Sequence, residues 1–81
     1  MKVAIFFGSK SDTDTMKKAA DVLREFEVDF KAYVISAHRN GTLLAQTVRQ
    51  AELDGAEVII AGAGLAAALP GVIAGLTTIP V

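Results

Sequence analysis

Val3-Ala4-Ile5-Phe6-Phe7 is an unbroken apolar run, without the polar alternation that a half-exposed strand carries. Such a run fits a strand covered on both faces, as in parallel sheets. The signal returns at Val58-Ile59-Ile60-Ala61. A further strand spans Phe30 to Ile35, with Tyr33, Val34 and Ile35 as its best β-formers. Between the runs the period changes. Met16, Ala19, Ala20, Leu23 and Phe26 recur at three- and four-residue spacing, opposite Lys17, Lys18, Asp21, Arg24 and Glu25. That pattern predicts one buried helical face, capped by Asp12 or Thr13, helped by the charge of Asp14, and ending near Glu27. Leu43, Leu44, Thr47, Val48, Ala51 and Leu53 give a second helix a less regular apolar face. Thr42 is its expected cap, after an Asn40-Gly41 turn, and Asp54-Gly55 its end. Pro70-Gly71 lies within or begins a short third helix, and Thr78 to Val81 reads as the start of a fourth strand. Strands alternating with helices predict an α/β fold: a three-layer sandwich around a parallel sheet, with right-handed crossovers.

Eighty-one residues make one small domain, residues 1–81, of limited stability alone. An apolar content of 52% argues against disorder and makes self-association the natural outlet for surplus apolar surface. A net charge of −1, without a run of Lys or Arg, points away from nucleic acid and anionic membranes. The absence of cysteine removes disulfides, zinc-thiolate sites and thiol nucleophiles, and is compatible with a reducing cytosol. Met1-Lys2-Val3 enters a strand rather than a secretory apolar region. Glycines, Pro70 and Pro80 interrupt the apolar stretch from Val58 to Val81, against a transmembrane helix. Because the last residues read as an apolar strand, the chain is expected to be the first part of a larger domain, or to be completed by a partner.

Each expected strand runs into a short loop, and in a parallel sheet all such loops leave from one edge, where ligands bind. The loops are Gly8-Ser9-Lys10-Ser11-Asp12, Ser36-Ala37-His38-Arg39-Asn40-Gly41 and Gly62-Ala63-Gly64. His38, the sole histidine, is the residue type most often used for proton exchange at neutral pH and reads either as an acid–base group or as an exposed loop residue. Arg39 suits a phosphate or carboxylate, or a surface ion pair. Ser9 and Ser11 either donate to an anion alongside backbone amides or form the turn. Asp12 accepts from sugar hydroxyls, caps the helix, or does both. Lys10, between two serines that face a ligand, is expected to turn outward into solvent. Gly62 and Gly64 permit close backbone approach, but a lone Gly-x-Gly is weak evidence for a dinucleotide, and no Walker motif or metal-ligand cluster is visible.

Taken together and in this order, Gly8-Ser9-Lys10-Ser11-Asp12, Ser36-Ala37-His38-Arg39 and Ala61-Gly62-Ala63-Gly64 with Leu69-Pro70-Gly71 resemble the N5-carboxyaminoimidazole ribonucleotide mutase (PurE) family of purine biosynthesis. This family is the catalytic subunit of phosphoribosylaminoimidazole carboxylase. The resemblance runs from Val3 to Val81 and covers about the first half of the family's domain. It implies a flavodoxin-like sheet, a cytoplasmic homo-oligomer (octamers are typical) and a small ribonucleotide substrate, with no metal or organic cofactor. It further implies that Ser9, Asp12 and Arg39 contact the ribonucleotide, with Arg39 and Ser11 on the phosphate side. Ser36 lies beside the substrate, Gly62 and Gly64 line the site, and His38 is the general acid–base. Where the family has Thr-Pro after Ser-Ala-His-Arg, this chain has Asn40-Gly41. Leu65 and Ala68 replace a glycine and a histidine of the family's third loop. Two rival readings are an inactive fragment or assembly module of the same fold, and an unrelated flavodoxin-like domain that binds a phosphorylated ligand.

Overall fold

A computed structural model describes residues 1–64 and 68–81. Its three parallel strands are β1 (Lys2–Phe7), β2 (Asp29–Val34) and β3 (Val58–Gly62), in the order β2-β1-β3. Helices α1 (Thr13–Glu25), α2 (Gly41–Leu53) and α3 (Leu69–Ala74) follow β1, β2 and β3 in turn. The α/β fold class expected from the alternation is the one observed, as a flavodoxin-like partial sheet.

The central position of β1 explains its unbroken apolar run. Val3, Ile5 and Phe7 point to one face and pack with Met16 and Ala20 of α1. Ala4 and Phe6 point to the other, among Leu44, Val48 and Ala51 of α2 and Leu69 and Ile73 of α3. Phe6, Leu44 and Ile73 are fully enclosed, each contributing about 1.5–3 kcal/mol relative to an exposed side chain. Registers Phe6↔Tyr33 and Phe6↔Ala61 carry this layer across the sheet, and the Phe6 and Tyr33 rings stack at 4.8 Å.

Helix ends account for several departures from the periodicity. α1 stops at Glu25, so Phe26 falls outside the helix and is 72% exposed instead of joining the buried face. The turn that follows holds Glu27 at φ 57°, a left-handed conformation, while the Val28 N–H donates to Leu23 O at 2.8 Å. α2 begins two residues earlier than a Thr42 cap would allow. Asn40 is its cap, with Oδ1 accepting from the Leu43 N–H at 3.1 Å, so Asn40-Gly41 opens a helix instead of forming a free turn. Leu53, at the last turn of α2, projects into solvent rather than the core.

Residues 78–81 do not form the expected fourth strand. They contribute one ladder-type bond, from the Ile59 N–H to Pro80 O at 2.8 Å, along the outer edge of β3. Pro80 has no N–H with which to continue the ladder. Among the described residues, no helix is long and apolar enough to cross a membrane.

Candidate functional site

The three loops leave the carboxyl edge of the sheet together, and they enclose a cavity of about 290 Å³. Ser9, Ser11 and Asp12 reach it from the first loop, Ser36 and His38 from the second, and Gly64 from the third. Parallel pairing on both sides of β1 causes this convergence, because it aligns all three strand ends.

In the first loop, one turn of 3₁₀ helix over Lys10–Asp12 joins β1 to α1, closed by the Asp12 N–H donating to Ser9 O at 3.1 Å. The hydroxyls of Ser9 and Ser11 lie 2.6 Å apart, and Ser9 Oγ donates to Asp12 Oδ2 at 3.4 Å. Asp12 occupies the N-cap position of α1 but makes no side-chain capping bond. Of its two possible roles, capping is therefore not the one its side chain adopts. Its carboxylate faces the cavity, half-buried, and a Cβ built on Gly64 would lie 3.9 Å from Oδ1, so the first and third loops nearly touch there.

The second loop is held by its own serine. Ser36 Oγ accepts from the Arg39 N–H at 3.3 Å, and Ser36 O accepts from the Asn40 N–H at 3.2 Å. This turn exposes both His38 and Arg39 but sends them to different places. His38 lines the cavity, while Arg39 borders an adjoining groove of about 490 Å³. Ser9 and Ser36 line both hollows and form the ridge between them. Lys10 is exposed, as expected, and borders the groove with Arg39. Ser11 lines the His38 cavity, with its hydroxyl 2.6 Å from that of Ser9, which borders both hollows.

Gly62 has a packing role. A Cβ there would stand 2.3 Å from Met16 Sδ, so only glycine lets α1 lie this close to β3. Gly62 lines a smaller recess with Asp12 and Gly64, behind the main cavity. Ala37, Ala68 and Leu69, which the sequence marked only as motif members or as a replaced position, supply the apolar wall of the cavity. Ala68, the substituted position of the third loop, thus sits at the wall. Leu65 lies outside the described residues. Among the described residues, no group of His, Cys, Asp and Glu side chains is placed to hold a metal ion.

The family model described as AIR carboxylase matches residues 2–81. The N5-carboxyaminoimidazole ribonucleotide mutase of Pyrococcus abyssi is 60% identical over 80 residues, covering 99% of this chain and 46% of that protein. The protein of the same name from Saccharolobus solfataricus is 50% identical over 80 residues, covering 99% of this chain and 51% of its own. That from Thermotoga maritima is 48% identical over 80 residues, covering 99% and 47%. The chain spans about half the length of the curated relatives it matches.

Proposed function

The chain belongs to the AIR carboxylase family, and we propose that its rim carries the mutase reaction named for its relatives, moving a carboxylate from the exocyclic N5 to C4 of an aminoimidazole ribonucleotide. The observation that carries the reading is the convergence of His38, Asp12, Ser9 and Ser36 on one cavity at the carboxyl edge of the sheet.

The reaction needs a group that both gives and takes a proton near neutral pH, and an imidazole does so without perturbation. His38 donates its proton to the carbamate nitrogen of the substrate. The N–C bond breaks, its electron pair stays on nitrogen, and CO2 is released into the cavity. C4 then attacks the CO2 carbon, and His38 removes the C4 proton, which restores the aromatic ring and the protonated imidazole. The apolar wall of Ala37, Ala68 and Leu69 favours retention of a small nonpolar molecule between the two steps. Asp12 accepts hydrogen bonds from the ribose hydroxyls, and Ser9 and Ser36 donate to the substrate across the ridge. The enzyme works as a cytoplasmic homo-oligomer and as an isomerase.

The test is conversion of N5-carboxyaminoimidazole ribonucleotide to its C4 isomer by the full-length protein and by His38→Asn. The expected result is turnover reduced at least 100-fold in the variant, with ribonucleotide binding retained. Equal turnover in the two proteins would refute the acid–base role. An assembled protein with neither turnover nor ribonucleotide affinity would favour an assembly module of the same fold.

A further inference from the structure

We propose that Lys10 is a second cationic ligand of the substrate's phosphate, paired with Arg39 in the groove beside the His38 cavity. This inference rests on the ribonucleotide reading above and concerns only where the phosphate goes and what holds it.

A phosphate monoester carries a charge of about −1.5 to −2 at neutral pH. The cavity around His38 is poorly suited to it. Among the described residues the Asp12 carboxylate is the one fixed charge lining that cavity, and it would repel a dianion. The adjoining groove has the opposite character. Lys10 and Arg39 both border it, and among the described residues no carboxylate does. Among the described residues the only ion pair is Arg24 with Asp21, at 2.9 Å, so neither groove cation is neutralised by a neighbour. Two cations match a dianion where Arg39 alone leaves about one charge uncompensated.

The ridge supplies the continuity that a ribonucleotide requires. Ser9 and Ser36 line both hollows, so a ligand with its imidazole against His38 crosses them with its ribose and delivers its phosphate to the groove. Backbone geometry explains why the motif divides in this way. In the 3₁₀ turn Ser11 and Asp12 fall on the cavity side, and Lys10 on the side of Arg39.

The experiment measures binding of 4-carboxy-5-aminoimidazole ribonucleotide and of the corresponding phosphate-free riboside by titration calorimetry. The proteins are the full-length wild type, Lys10→Gln and Lys10→Arg. A charge-assisted hydrogen bond of ordinary strength corresponds to a loss of roughly tenfold or more in affinity. The expected result is that loss for the ribonucleotide in Lys10→Gln, unchanged riboside affinity, and substantial recovery in Lys10→Arg. Unchanged ribonucleotide affinity in Lys10→Gln would overturn the proposal and leave the ribonucleotide reading intact. Equal losses for ribonucleotide and riboside would also overturn it, by showing that Lys10 supports the loop. Failure of the wild type to bind the ribonucleotide would defeat the functional reading itself.

Discussion

Replacing Gly62 with alanine tests how closely α1 is pressed against β3, and with it the placement of Asp12. The added Cβ would stand 2.3 Å from Met16 Sδ and 2.9 Å from its Cε. Ordinary contacts between carbon atoms are about 3.5–4.0 Å, so the methionine must withdraw by more than about 1 Å. Met16 is only 8% exposed and packs among Val3, Ile5, Phe7 and Ala20, which restricts where it can go. Overpacking of this kind costs about 1–3 kcal/mol, and a flexible thioether end places Gly62→Ala in the lower half of that range. In a domain of this size each kcal/mol lowers Tm by roughly 4–8 °C. Met16→Ala alone removes core volume and costs about 2–5 kcal/mol, near the lower limit because Met16 keeps some exposure. The double variant returns a methyl to the space vacated by the sulfur. Urea unfolding of the four proteins is expected to give a coupling of at least about 1 kcal/mol, where unconnected sites add within about 0.3–0.5 kcal/mol. Additive effects, or a neutral Gly62→Ala, would refute the close-approach argument.

Three further substitutions test two helix ends, one at the rim and one at the opposite edge of the sheet. Glu27→Gly is expected to stabilise the protein by about 1 kcal/mol, because φ 57° strains any residue with a Cβ; a lower urea midpoint would contradict this. Asn40→Ala removes the side chain that accepts from the Leu43 N–H and is expected to cost about 0.5–2 kcal/mol in urea unfolding, whereas Thr42→Ala costs less. Equal effects at the two positions would restore Thr42 as the cap.

The layers of the fold were legible because β1 is central. An apolar run without alternation has one simple explanation, coverage on both faces, and the burial of Val3 to Phe7 bears it out. Periodicity was less informative near helix termini. Phe26 and Leu53 continue an apolar spacing in the sequence, yet one follows the end of its helix and the other occupies a last turn with nothing packed over it. The fourth strand was overread for a different reason. Its apolar residues are β-formers, but only the Pro80 carbonyl meets β3, and a lone carbonyl does not make a ladder.

For the candidate site, topology and local geometry contributed separate parts of the answer. Parallel strands oblige the three loops to share an edge, so the meeting of Ser9, Asp12, Ser36, His38 and Gly64 follows from the strand order. Which hollow each side chain borders depends on turn geometry that spacing does not encode. His38 and Arg39 are adjacent in sequence but diverge because the Ser36 turn rotates one away from the other. Lys10 and Ser11 diverge for the same reason within the 3₁₀ turn. The division sorts charge: the carboxylate stays with the imidazole, and the two cations collect across the Ser9–Ser36 ridge. The ribonucleotide proposed above would place its ring and hydroxyls on the carboxylate side of that division and its phosphate on the cationic side.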